Sequence, residues 1–158
     1  MKRVLVLGRG GPGKSTLATK LGEITGLPVF ELDKLFWQPG LEAMPRAEWV
    51  KTQQRLVEQE NWIMDGDLGH YDAVEVRLGA ADTIILLDFS LVLCAWRALR
   101  RGRERSDFWR GLIAYRRRSL PVLMQAISKF APHAKTHLIR NPEELRRFVI
   151  GVERTVAK

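Results

Sequence analysis

The chain is predicted to fold as an α/β domain, a parallel sheet with helices on both faces. Three observations carry this. Short apolar runs alternate along the 158 residues with amphipathic stretches of helical period. The first run leads directly into "GRGGPGKST" (Gly8 to Thr16), a glycine-rich loop that opens a helix pattern. The five runs end near Gly8, Asp33, Asp65, Asp88 and Arg140, and ligands of such sheets bind beyond the C-terminal strand ends.

In chain order, "RVLVL" (Arg3 to Leu7) is a buried strand bounded by Gly8. Ser15 to Thr25 forms a helix with Leu17, Leu21 and Ile24 on one face, closed by Gly26. "PVFELD" (Pro28 to Asp33) is the second strand. Residues 34–44, with Pro39 and Gly40, are a loop, and Pro45 opens a helix running to about Gln59. "NWIMDGD" is a third strand ending near Asp65, and "DTIILLD" (Asp82 to Asp88) a fourth. Ser90 caps a helix through about Arg101, and two helical stretches follow, near 107–118 and 120–131. "KTHLI" (Lys135 to Ile139) is the fifth strand. The closing helix has a strong start, with Asn141 as cap, Pro142 in the first position and Glu144 three after the cap.

The totals fit one domain, 1–158, with a short arginine-rich lid segment near 97–118. No apolar run reaches the roughly 18 residues that cross a membrane, and the apolar start enters the glycine-rich loop as a strand rather than forming a signal peptide. The one cysteine, Cys94, lies in an apolar stretch and suits a small core residue. A cytoplasmic protein without membrane attachment is expected, monomer or homodimer. The net charge of +8 is unevenly spread: residues 91–118 hold nine arginines, no lysine and two acids. Some of this segment is a solvated helix face. Arginine's planar fork, however, grips phosphate bidentately where lysine cannot.

Gly8, Gly13, Lys14 and Ser15 fit G-x-x-x-x-G-K-[ST], the Walker A phosphate-binding loop. Gly8, Gly10, Gly11 and Gly13 let the backbone turn N–H groups inward. Lys14 reaches the β- and γ-phosphates, Ser15 sits on Mg²⁺, and the helix from Ser15, with Thr16, adds its positive end. Pro12 has no N–H to offer. The aspartates converge near this loop, where a carboxylate could order magnesium-bound water or take a proton from an acceptor hydroxyl. Asp88 ends the fourth strand, where hydrolytic nucleotide enzymes often keep a magnesium acid. Trp37 either lines an acceptor pocket or packs; Trp49 and Trp96 suit helix core faces. His70, His133 and His137 show no metal-ligand spacing.

The motifs in this order, "GRGGPGKST", "ELDKLFWQPG", "WIMDGDLG", "DTIILLDFS" into "CAWRALRRG", then "AYRRRSLP" and "HLIRNPEEL", resemble the adenylate-kinase-related P-loop kinases, and among them the small group labelled topology modulation proteins. The resemblance spans nearly the whole chain. It implies a P-loop NTPase three-layer sandwich with a five-stranded parallel sheet of order 2-3-1-4-5, ATP and Mg²⁺ as cofactors, and phosphoryl transfer to a small acceptor. It implies that Asp65 holds magnesium through water, that Asp33 is the acceptor-side acid, and that Arg97 stacks on the adenine. Arg100 or Arg101 matches a lid arginine, with Arg116, Arg117 and Arg118 behind it. Arg140 and Asn141 fall where the last strand's loop borders the adenine. Two departures stand out. The group's D-G-N-Y becomes Asp65-Gly66-Asp67-Leu68, and Pro12 replaces a small residue.

The expectation is an ATP-dependent small-molecule kinase acting on a nucleoside, a nucleotide or a similar hydroxylated acceptor. Its catalytic residues would be Lys14, Asp33, Arg97, Arg101 and Arg117, its nucleotide would be held by the loop with Arg97 and Arg140, and its metal by Ser15 and Asp65. Two alternatives stay open: an ATP-regulated module that binds nucleic acid through the arginine segment, and a nucleotide-hydrolysing switch.

Overall fold

The structure, a computed structural model, describes residues 1–40, 42–68, 72–102 and 106–157, the side chains of Arg101, Ser106 and Asp107 excepted. The elements in order are β1 (Arg3–Gly8), α1 (Lys14–Thr25), β2 (Val29–Glu31), α2 (Leu32–Phe36), β3 (Trp37–Gln38), β4 (Glu42–Ala43), α3 (Arg46–Val57), β5 (Trp62–Asp65), α4 (Val74–Ala80), β6 (Thr83–Leu87), α5 (Leu91–Arg101), α6 (Ser106–Phe130), β7 (Lys135–Ile139) and α7 (Pro142–Val156). Five strands form one parallel sheet in the order β2-β5-β1-β6-β7, which is the expected 2-3-1-4-5 when only sheet strands are counted. The register places Val6 beside Asp65, Asp65 beside Glu31, and Gly8 beside Leu87. The strand ends therefore share one edge of the sheet.

Alternation along β1 divides the core. Val4 and Val6 face α1 and α7, packing with Leu17, Leu21, Ile63 and Ile85. Leu5 and Leu7 face the other way, toward Trp49, Met64, Leu78 and Ile84. All four β1 side chains are fully buried, as a central parallel strand requires. Cys94 is buried as expected. Among the described residues no helix is long and apolar enough to cross a membrane.

Capping follows the sequence at three helices. The Gly26 N–H closes α1 on Gly22 O, Ser90 Oγ accepts from Leu93 N, and Asn141 Oδ1 accepts from Glu144 N at 2.9 Å. Three expectations are corrected. The 34–44 stretch is not all loop: α2 begins within the expected second strand, taking Leu32 and Asp33, and the antiparallel pair β3–β4 follows. Its anchor is Phe36, 1% exposed and edge-on to Trp49 at 5.3 Å. The short helix α4 was not foreseen. The two helices expected between 107 and 131 are one, with Pro121 inside. A proline there removes one helical hydrogen bond, but α6 keeps an apolar face on both sides of it. Leu112 joins the α1-side core, and Leu123 and Ile127 join the opposite one. Packing at both ends outweighs the local break, and α6 spans the two cores.

Candidate functional site

The loop after β1 is shaped by glycines that no other residue could replace in this backbone. Gly8 has φ 135°, and a Cβ there would lie 2.3 Å from Leu87 O, so β1 and β6 come together only without one. Gly11 has φ 89°, with Cys94 O at 2.8 Å from where its Cβ would stand. Lys14 Nζ donates to Gly8 O and Arg9 O, both at 3.0 Å, so the ammonium spans the mouth of its own loop. Pro12 lacks a donor, but its carbonyl is used: Arg97 Nη1 donates to Pro12 O at 2.7 Å.

Two cavities meet at this loop. The first, about 310 Å³, is lined by Gly10, Gly11, Gly13, Lys14, Ser15, Thr16, Asp33, Asp65 and Phe108. It contains both Ser15 and Asp65, the residues expected to hold the metal. Asp65 is 4% exposed, and its Oδ1 is buried with no hydrogen-bond partner among the described residues. Burial pushes its carboxyl up, while the adjacent Ser15 hydroxyl and the Lys14 charge oppose the shift. Asp33, in the first turn of α2, is also pushed up. Burial is the main cause, Lys14 opposes it, and repulsion from Asp65, Asp67 and Asp72 adds to it. Gly66 explains this closeness, since a Cβ on it would stand 3.2 Å from Leu32 Cβ, one residue before Asp33.

The second cavity, about 600 Å³, lies on the other side of the loop, between α1, α5 and α7. Gly11, Pro12, Gly13 and Thr16 form its loop side, Trp96, Arg97 and Arg100 its α5 side, and Leu145 and Val149 its α7 side. Arg97 reaches over the Phe89 ring at 5.5 Å, and Arg100 over Trp96 at 4.9 Å. Trp96 is 53% exposed, so its expected place in a helix core is corrected: it walls this cavity. Trp49 is fully buried as expected. Arg140 is exposed at the end of β7 and does not line the cavity; its backbone N–H donates to Glu144 Oε2. Apolar residues of α7 stand there instead, unmarked by any motif.

Of the other arginines, Arg116, 53% exposed at its side chain, pairs with Asp88. Its Nε donates to Asp88 Oδ1 at 3.0 Å, and Nη2 to Asp88 O at 3.4 Å. Asp88, considered above as a magnesium acid, is thus engaged by an arginine. Arg117 is exposed on the next position of the helix. The side chains of Arg101, Arg103 and Arg105 lie outside the described residues, as does His70. Trp37 stands in β3, 38% exposed and edge-on to Phe36; it does not line the cavity that holds Asp33.

Sequence reasoning missed the network that fixes the turn after Asp65. Arg77 is fully buried and grips Asp72 with both Nη atoms, at 2.7 and 2.8 Å. Its Nη1 also donates to Gln53 Oε1, and its Nη2 to Gly66 O at 3.2 Å. Asp72 accepts further from Ala73 N at 2.8 Å and from Trp49 Nε1 at 3.3 Å. Burial would raise the Asp72 carboxyl, but the Arg77 hydrogen bonds and charge, with Trp49 and the Ala73 amide, hold it below its ordinary value. The only sequence sign was a lone arginine in the apolar run "AVEVRLGA".

The sheet order and the strand–loop–helix cradle define the fold of P-loop kinases. No family model matches the chain, and no curated protein matches it. Solved structures share its fold. Shikimate kinase from Acinetobacter baumannii in complex with shikimate aligns with TM-score 0.70 at 14% identity, covering 99% of this chain and 93% of that one. A gluconokinase from Sinorhizobium meliloti 1021 aligns with TM-score 0.59 at 19% identity, covering 99% and 91%. Shikimate kinase from Aquifex aeolicus aligns with TM-score 0.53 at 18% identity, covering 98% of each. At these identities the likeness is one of fold.

Proposed function

We propose that this chain is an ATP-dependent kinase of a small hydroxylated acceptor. The observation that carries the reading is the 310 Å³ cavity, which joins the phosphate loop, the Ser15–Asp65 pair and Asp33. The solved structures that share the fold are named for kinases of shikimate and gluconate, small hydroxylated acids, which favours the same class of acceptor here. The motif order resembles that of the topology modulation proteins, and the shared fold supports the coarser reading of a P-loop kinase. The arginine segment supports a nucleotide reading through Arg97, which donates to Pro12 O of the phosphate loop and lines the 600 Å³ cavity with Arg100.

In this reading the loop amides and Lys14 hold the ATP phosphates, and Lys14 exchanges the carbonyls of Gly8 and Arg9 for phosphate oxygens. The adenine occupies the 600 Å³ cavity beside Arg97 and Trp96. The orphaned, buried Asp65 oxygen next to Ser15 suits a hydrated Mg²⁺, which Ser15 and Asp65 would hold. When bound, the ion neutralises charge on the β- and γ-phosphates. Asp33 takes the proton of the acceptor hydroxyl, and its raised pKa brings it closer to the working pH of a general base. The acceptor oxygen forms a bond to the γ-phosphorus as the bond from that phosphorus to the β–γ bridging oxygen breaks. ADP leaves with the electron pair.

The test is ADP formation from Mg·ATP with a panel of nucleosides, nucleotides, polyols and sugar-like acids. At least one acceptor is expected to raise turnover well above the acceptor-free rate, and Asp33→Asn to lower that turnover by on the order of 100-fold or more. A panel in which no acceptor raises turnover refutes the kinase reading.

A further inference from the structure

A third cavity, about 560 Å³, opens at the edge of the sheet opposite the phosphate loop. Thr83 and Lys135, the paired first residues of β6 and β7, stand on one side of it, and the end of α1 and the second half of α7 enclose it. Leu27, Phe148 and Val152, half-buried against the α1-side core, give it an apolar wall. Lys135 and Arg147 are exposed at its rim, and no carboxylate lines it among the described residues. Arg147 shares a 3.0 Å surface pair with Glu143, whereas Lys135 has no carboxylate within 4 Å among the described residues. The His137 ring stands edge-on to Phe148 at 4.8 Å. Burial, and then the Lys135 charge, push its imidazole below the ordinary value, so it is neutral at pH 7 and keeps one N–H donor. Gly151 lies in the middle of α7 and lines the same cavity. Glycine weakens a helix interior relative to alanine, and a close neighbour often explains it. Here a Cβ would meet nothing within 4 Å. Packing does not call for glycine, and its effect is to leave the cavity open where a side chain would stand.

We infer that this cavity is a second ligand site, for a small monoanion with an apolar body, an aryl or alkyl carboxylate. The body packs on Phe148 and Val152 beside Gly151, and the carboxylate meets Lys135 and Arg147. An apolar wall with cations and no acid at its rim suits such a ligand better than a neutral or cationic one. The inference does not rest on the kinase reading. Leu145 and Val149 of α7 line the 600 Å³ cavity, while Phe148 and Val152 line this one. The two cavities share a helix but no lining residue, so both can be filled at once.

The experiment is a fluorescence titration of the full chain with 1-anilinonaphthalene-8-sulfonate as reporter, with and without saturating Mg·ADP. The reporter is displaced with 1-naphthylacetate and with its neutral isostere, 1-naphthylacetamide. Reporter binding is expected to persist with Mg·ADP present, and the acid to displace it at a concentration about 5- to 10-fold lower than the amide. The double variant Lys135→Gln/Arg147→Gln changes two exposed side chains and is expected to erase that difference. Gly151→Phe fills the cavity and is expected to weaken the reporter by at least about tenfold. Gly151→Ala is expected to raise the unfolding midpoint by about 1–4 °C with reporter affinity within about threefold of wild type, which separates filling the cavity from merely replacing the glycine. Displacement of the reporter by Mg·ADP, retained affinity in Gly151→Phe, or equal displacement by the acid and the amide overturns the inference. So does reporter affinity that falls as the chain self-associates at rising concentration, a result that assigns the face to a second copy.

Discussion

Breaking the Asp72–Arg77 pair should cost more from one side than from the other. Asp72→Asn leaves the Arg77 guanidinium fully buried with only neutral partners, Gln53 Oε1 and Gly66 O. An uncompensated buried charge of this kind costs about 3–5 kcal/mol. Arg77→Met removes the cation and leaves the carboxylate with the Ala73 amide at 2.8 Å and Trp49 Nε1 at 3.3 Å. Its cost is smaller, about 2–3 kcal/mol, on the scale of the charged hydrogen bonds lost. In a chain of this length each kcal/mol moves the unfolding midpoint by about 2–4 °C. Asp72→Asn should therefore lower it by about 6–20 °C and Arg77→Met by about 4–12 °C. The double variant, Asp72→Asn/Arg77→Met, holds no buried charge at this site and should lose less than the sum, with a coupling of at least about 1.5 kcal/mol. Thermal melts of the four proteins measure the two midpoint shifts, and urea titrations the coupling.

The pH dependence is a second check on the same pair. The Asp72 carboxyl lies below its ordinary value in the folded chain, so its stabilisation is fully present above about pH 4. It is lost as pH falls through the lowered folded value, and the gap between wild type and Asp72→Asn should narrow there. Additivity of the two single changes within about 0.5 kcal/mol would show that the pair is not coupled and that the reasoning is wrong.

Two further outcomes follow from buried groups at the site. Asp65→Asn removes a carboxylate that burial pushes up and whose Oδ1 is orphaned, so it should stabilise the ligand-free protein above pH 5 while abolishing the magnesium dependence of nucleotide binding. A raised carboxyl favours folding below its unfolded pKa and loses that favour as pH rises, so the stability gain should vanish toward pH 3; thermal melts across pH and titrations with and without Mg²⁺ check both. Arg9 is 2% exposed, makes one 3.4 Å hydrogen bond to Phe89 O and has no carboxylate within 4 Å among the described residues. Arg9→Met should leave the unfolding midpoint unchanged or higher while weakening ADP binding several-fold, measured by calorimetry on the same sample.

What the sequence showed and what it hid divide by range. The cradle was legible because its parts are neighbours in the chain: Gly8 must turn, Lys14 must return to the mouth of the loop, and Asn141 must cap α7. Each rests on backbone rules acting over a few residues. Asp65 was legible as a strand end, because the register of a parallel sheet brings such ends together. The Arg77 grip on Asp72 depends on Gln53 and Trp49, 24 and 23 residues from their partners, and no local pattern announces it. Pro121 misled in the same way: the local rule was sound, but the two cores at the ends of α6 decided the outcome.

The same distinction bears on the arginine segment. Composition gives nine arginines between 91 and 118 equal standing, and the surface face and the phosphate site look alike in sequence. Structure separates them by what lies opposite. Arg97 meets a carbonyl made available by Pro12, the residue that took a donor from the loop. Arg116 meets a carboxylate one residue past β6. Both partners lie more than 25 residues away, 85 for Pro12 and 28 for Asp88. The missing Pro12 N–H is therefore accompanied by a cation drawn to the same peptide. A phosphate in the loop would meet one amide fewer and one guanidinium more, a substitution of charge for dipole that strengthens the site as water is excluded from it.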